Sequence, residues 1–169
     1  MLIEIVTRTP LWVWALLVAL LALGLYQRRA RQVRPAQLLM LPVVLLGLGL
    51  SSLFPAFTAQ PLLAVLWLAA LGTAVALGLR LPAAAGTRWD AASGRLQLAG
   101  SWFPMVLILI IFSLRYTAAV SLALHPAWRH DLAVQAPLSL AFGALSGLFL
   151  GRALGLRRLA TMAAHGQPA

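Results

Sequence analysis

Hydrophobic positions along this chain gather into five long runs separated by short polar connections. A helix crossing roughly 30 Å of bilayer hydrocarbon at about 1.5 Å per residue needs about 20 mostly apolar residues. The runs meet that requirement and predict helices over about 10–27, 37–57, 61–79, 102–124 and 134–154. Lipid offers no partner to a bare backbone group, so each run must be helical. Thr9 is placed to cap the first helix and Pro10 to begin it, while Ser101 is placed to cap the fourth. Pro42 and Pro55 interrupt the second helix near its start and its end. The expected fold class is all-α: one integral membrane domain over residues 1–169, a polytopic transmembrane bundle of five helices.

The first run could be mistaken for a signal peptide. Its leader, however, carries Glu4 beside Arg8, and an arginine cluster follows it where a small-residue cleavage site would stand, so it reads as a retained helix. The only long polar stretch, GTRWDAASGRLQLAG from Gly86 to Gly100, lies between the third and fourth helices. Thr87, Trp89, Leu96 and Leu98 alternate around the turn-forming run Asp90–Gly94, which predicts a short hairpin-like loop on the membrane surface.

Composition sharpens this picture. Apolar residues make up 62% of the chain and charged residues 9%, where a soluble domain carries about a quarter charged residues. An ordinary water-soluble fold is excluded, and so is disorder, which needs low hydrophobicity. The net charge is +10; all thirteen basic residues are arginine, against Glu4, Asp90 and Asp131. Arg28, Arg29, Arg31, Arg34, Arg80, Arg88, Arg95, Arg152, Arg157 and Arg158 fall in alternate connections and the tail, and Arg8 and Arg129 in the others. The positive-inside rule makes the first group cytoplasmic, with the N-terminus outside and the C-terminus inside. Trp12, Trp14, Tyr26, Trp102 and Trp128 fall near helix ends, where amphipathic rings prefer to sit. Arginines that flank spans point to anionic membrane lipid as partner, not nucleic acid, with Arg28, Arg29, Arg31, Arg34, Arg157 and Arg158 expected to meet lipid phosphates.

Two constellations lie within the spans. Ser139, Gly143, Gly147, Gly151 and Gly155 recur every four residues on the fifth helix, a small-residue ridge that admits another backbone closely. Ala70, Ala74 and Gly78 form a similar ridge on the third helix, and the two are expected to pair. The same ridge could serve a second copy or a membrane partner subunit. Arg115 is the one charge well inside a span, and an intramembrane charge is a functional candidate by default. Ser113, Thr117 and Ser121 form a polar stripe roughly opposite it, and together they are a candidate anion or polar site. The dull reading bonds Arg115 to carbonyls or lipid phosphate and the hydroxyls to their own helix.

Catalytic and cofactor readings find little footing. The spans hold no carboxylate, which weakens proton-coupled transport, and the chain has no cysteine for thiol chemistry. Ser146 in ALSGLFLG looks like an intramembrane protease serine, but no histidine sits on a neighbouring helix to take its proton. His125 and His130 lie at or beyond one helix end without a histidine facing them, so haem ligation is not expected. No cofactor, metal or enzymatic activity is expected.

The stretches RTPLWVWALL from Arg8, GLYQRRARQV from Gly24, GSWFP before the fourth helix, FSLRY around Arg115 and SGLFLGRAL on the fifth resemble a family of small bacterial inner-membrane proteins described as a domain of unknown function. That resemblance covers nearly the whole chain and implies a multi-helix protein of the bacterial inner membrane, with no activity attached. In helix layout and inner hairpin the chain is also similar to small membrane proteins of the cytochrome c maturation type, but without cysteine it lacks the thiols for a redox role. The expected function is a non-enzymatic scaffold or complex subunit; the alternative is a small permease or lipid- or anion-binding protein that uses Arg115.

Overall fold

The structure, a computed structural model, describes residues 10–27, 31–34, 36–83, 86–90 and 92–166. Glu4, Arg8, Thr9, Arg28 and Arg29 lie outside the described residues. In chain order the elements are helix α1 (Leu11–Gln27), strand β1 (Arg31–Val33), helices α2 (Gln37–Ala59) and α3 (Pro61–Arg80), strands β2 (Arg88–Asp90) and β3 (Arg95–Leu98), helix α4 (Phe103–Leu124), a 3₁₀ turn (Pro126–Arg129) and helix α5 (Leu132–Ala164). Helices α3, α4 and α5 are each long and apolar enough to cross a membrane. Helix α2 joins them if its limbs Gln37–Ser51 and Leu53–Ala59, bent by 47°, form one span. The bend has an identifiable cause: Pro55 has no N–H, and its ring opposes the carbonyl of Ser51 one turn earlier. The apolar part of α1, Val13–Tyr26, is shorter.

The centre of the molecule is the contact between α3 and α5, the most extensive of any helix pair. On α3 the buried positions are Leu63, Trp67, Ala70, Ala74 and Gly78; on α5 they include Gln135, Ser139, Gly143, Gly147 and Gly151. A Cβ on Gly143 would run into the carbonyl oxygen of Trp67, one on Gly147 into that of Leu71, and one on Gly151 into that of Val75. In return, a Cβ on Gly78 would lie 2.9 Å from both the Arg152 nitrogen and the Leu148 oxygen. Gly155, by contrast, has 3.6 Å to the Leu79 oxygen. These partners advance by four on both helices together, so α3 and α5 run parallel. Around this pair, Trp67, Ala118 and Phe142 form a core cluster, with Leu46, Leu53, Phe57 and Leu114 packed against it.

The remaining helices alternate in direction. The last turn of α1 (Leu23, Tyr26), the first of α2 (Gln37, Leu38), the start of α4 (Phe103, Pro104) and Arg152 of α5 surround one cavity. Leu79 and Arg80 of α3 meet Arg152 and Gly155 at the same end. At the opposite end Gln60 Nε2, between α2 and α3, donates to the His130 carbonyl at 3.0 Å. There, too, Gln135, 5% exposed, donates to the Trp128 carbonyl at 3.0 Å, tying the 3₁₀ turn onto α5.

Two sequence expectations are corrected. The chain is mostly helical, but its loop is not a lone hairpin: β1, β3 and β2 form an antiparallel three-stranded sheet in that order at the basic end. The hairpin-like loop gains its third strand from the arginine-rich connection after α1. Val33, Leu96 and Trp89 stand opposite one another across the three strands, and Leu96 in the middle is 2% exposed. A lone two-stranded hairpin is marginal; an apolar row across three strands supplies cross-strand contact on both sides of Leu96. Gly94 closes the hairpin at φ +61°, a conformation that side-chain-bearing residues rarely adopt.

Helix α5 is the second correction, running to Ala164 and not stopping near Leu154. Hydropathy marks where a helix would leave hydrocarbon, whereas the arginine, leucine, alanine and methionine of residues 155–164 are strong helix formers that carry it onward. Arg157 and Arg158 are therefore exposed positions on this helix and not part of an irregular tail. Asp131 starts the helix, its Oδ1 accepting the Ala133 N–H at 2.9 Å. The other helix bounds lie within two residues of the expected ones. Ser101 Oγ accepts the Phe103 N–H at 3.2 Å, from one position ahead of the α4 N-cap, Trp102.

Candidate functional site

Arg115 sits midway along α4, half-buried. Its guanidinium carbon lies 5.1 Å from the centroid of the Phe142 ring on α5. From the other side α2 closes on it, since a Cβ on Gly49 would be 2.9 Å from Nη2. The cation thus lies between an aromatic face and a glycine-bearing stretch of backbone, where both its charge and its size are accommodated. The polar stripe does not join it. Ser113 and Thr117 are exposed on another face of α4, and the Thr117 hydroxyl donates to the Ser113 carbonyl of its own helix at 2.7 Å. Ser121 is half-buried one turn beyond. Arg115 and the three hydroxyls do not converge on a common point.

The other sequence candidates scatter. Gly143, Gly147 and Gly151 are consumed by contact with α3, and Ser139 one turn earlier is 1% exposed. Ser146 faces no histidine: His165 ends the same helix, 19 residues away or roughly 28 Å along its axis. His125 stacks on Trp128 with centroids 4.3 Å apart, at the end of the molecule opposite Arg152. Among the described residues, no three histidine, cysteine or acidic side chains gather where they could hold a metal ion. Of the expected lipid-contacting arginines, Arg31 opens β1, and Arg34 stands at the start of α2, where its N–H donates to Gln37 Oε1 at 3.1 Å.

What the structure assembles instead is a cleft of about 760 Å³ at the basic end. Its walls come from α1, α2, α4, α5 and the sheet edge. Arg34, Arg95 and Arg152 line it together with Leu41, Phe103 and Phe149, and no carboxylate among the described residues does. Arg152 is held in place: its guanidinium carbon lies 4.3 Å from the Phe103 ring centroid, and Nη1 donates to the Pro82 carbonyl at 3.4 Å. A smaller cavity of about 290 Å³ adjoins it, lined by Arg80, Arg152 and Arg158. Of the two acids among the described residues, Asp131 is at the far end of α5. Asp90 is engaged within the hairpin turn, where the Ser93 hydroxyl at 2.7 Å and the Ala92 N–H at 3.1 Å hold its carboxyl below the usual value.

From the sequence alone Arg152 marks sidedness and Arg95 a surface contact with lipid phosphate, and nothing joins the two. The cleft that joins them to Arg34 exists because β1 pairs with β3, a contact between residues more than sixty positions apart. The one local signal was Arg152 itself, an arginine directly after the last tightly packed glycine of the ridge.

Helices of this length and apolarity, closing on one strongly basic end, fit the class of integral membrane proteins. A family profile described as a family of unknown function, DUF6622, matches residues 1–167, and the chain belongs to that family. It is also similar to an uncharacterized protein of Pasteurella multocida, 43% identical over 49 residues. That similarity covers 29% of this chain and 38% of the relative's length. No solved structure matches the chain.

Proposed function

We propose that the chain is a multi-pass protein of the bacterial inner membrane that acts without catalysis, as a scaffold or a subunit of a membrane complex. In this reading all five helices cross the bilayer, with the N-terminus outside and the C-terminus in the cytoplasm. The alternating helix directions and the gathering of Arg34, Arg80, Arg95, Arg152 and Arg158 at one end support that orientation. At 17 residues α1 is at the short end of what can span.

The observation that carries the scaffold reading is the α3–α5 contact. Three glycines seated beneath three consecutive-turn carbonyls bring the two helices into backbone contact and make a stiff spine. Helices α1 and α2 pack outside it and carry large exposed apolar residues, among them Leu11, Val18, Met40, Val43 and Phe54. Such faces suit lipid or a membrane partner. The alternative, a permease or anion-binding protein built on Arg115, has less support, because Phe142 and α2 already cover that guanidinium.

Gentle extraction followed by native mass spectrometry tests the role: a second copy or a stoichiometric membrane partner is expected, and a lone chain would overturn it. Reporter fusions after Ala59 and at the C-terminus are expected on opposite sides of the membrane. Both on one side would end the five-crossing arrangement.

A further inference from the structure

We propose that the cleft at the basic end binds an anionic phospholipid, with the phosphodiester held by Arg34, Arg95 and Arg152 and an acyl chain lying along the apolar wall. Three observations carry this. First, the cleft brings three arginines, from the connection before α2, strand β3 and helix α5, to one space with no acidic side chain among its described lining residues. An arginine fork matches phosphate oxygens bidentately. Arg152 is preoriented by Phe103 and Pro82, and one contact at Nη1 leaves most of its five N–H donors for a ligand.

Second, the remaining wall is mostly apolar, with Gln32, Gln37 and Tyr26 the exceptions. Leu23, Leu41, Val44 and Phe149 line the same space, which suits a hydrocarbon chain and would be idle for a free inorganic ion. The volume of about 760 Å³ is within the range of organic ligand sites and far exceeds what a bare phosphate needs.

Third, the cleft opens sideways. Helix α1 packs chiefly on α4, and α2 chiefly on α5, so the cleft lies between two helix pairs. At its lip Tyr26 is 61% exposed, Met40 69% and Val44 50%. In a bilayer those apolar rims face hydrocarbon, and a lipid can slide in without leaving the membrane. This holds whichever way the molecule points across the bilayer, so it stands or falls apart from the scaffold reading.

The test uses the full-length protein in detergent, titrated with phosphatidylglycerol or phosphatidylcholine and followed by native mass spectrometry. Phosphatidylglycerol is expected to remain bound where phosphatidylcholine is not. Replacing two arginines, R34Q with R95Q, is expected to weaken retention about tenfold or more at an unchanged melting temperature. Leu41→Trp, which fills the apolar wall and keeps every charge, is expected to lose the lipid as well. R88Q with R157Q, both exposed and lining neither cavity, is expected to retain it. Equal retention of the two lipids, or equal losses from the two arginine pairs, would reduce the effect to general surface charge and overturn the site. Displacement by millimolar inorganic phosphate, or full retention by L41W, would make it a phosphate site and overturn the lipid.

Discussion

Gly147 of α5 lies directly under the carbonyl of Leu71 on α3, with Ala74 Cβ close by, so that a single added methyl group would collide with backbone. Backbone cannot rotate aside as a side-chain tip can. The relationship recurs one turn earlier and one turn later, at Gly143 with Trp67 and at Gly151 with Val75.

Gly147→Ala is therefore expected to destabilise the folded protein by about 1–3 kcal/mol, the range of overpacked cores, and Gly147→Leu to prevent its accumulation. Gly155→Ala, with ordinary van der Waals space at 3.6 Å, and Gly72→Ala, with nothing within 4 Å, are the contrast. Those two are expected to be neutral or to gain up to about 1 kcal/mol of helix propensity. Thermal unfolding in detergent separates the two groups, and equal losses at all three positions would refute the register of α3 on α5.

Arg115 and Phe142 are expected to be energetically coupled. A double-mutant cycle with R115L and F142L should show non-additivity of about 0.5–2 kcal/mol, the range for cation–π pairs of increasing desolvation. Simple additivity would mean that the guanidinium draws its stabilisation from elsewhere. The same R115L protein is expected to keep any phosphatidylglycerol that the wild type retains, because Arg115 is not among the residues of the basic cleft.

Asp90 makes the hairpin turn sensitive to acid. The Ser93 hydroxyl, joined by the Ala92 N–H, lowers its folded-state pKa, so the charged form favours the turn. That contribution is complete above the unfolded carboxylate value and fades as pH falls through the lowered folded one, a window beginning at roughly pH 4 and extending downward. Trp89, adjacent in β2, reports it: its fluorescence should shift through that window in the wild type and stay flat in D90N. A shift of equal size in D90N would assign the effect to another group.

Leu96, central in the sheet and 2% exposed, is expected to cost about 2–5 kcal/mol of local stability when cut to alanine. Hydrogen exchange should then quicken across β1 as well as β2. Quickening confined to the hairpin would show that Val33 draws nothing from Leu96.

Much of this was readable in advance. Helix positions followed from run length, because bilayer thickness imposes a count that a sequence displays directly. The tight α3–α5 pairing also followed, since glycine every fourth residue has few uses other than close backbone approach, and Ala70, Ala74 and Gly78 offered the matching face. Three things were not readable. Strand β1 was hidden in the arginine-rich connector after α1, and at three residues it is too short to show any period. The last ten residues of α5 carry charge, and hydropathy mistakes charge for an ending. Spacing on one helix offers Ser113, Thr117 and Ser121 as companions for Arg115, whereas its neighbours Phe142 and Gly49 come from two others.

By itself, the sequence determined which segments are helical, the family to which the chain belongs, and where its positive charge concentrates. Each of these depends on neighbours within a turn or on composition. Only the tertiary structure decided that Arg34, Arg95 and Arg152 share one cleft and that Arg115 lies against Phe142. Those contacts join residues from distant helices and strands, and they exist only once α3 and α5 have closed on each other and β1 has found β3.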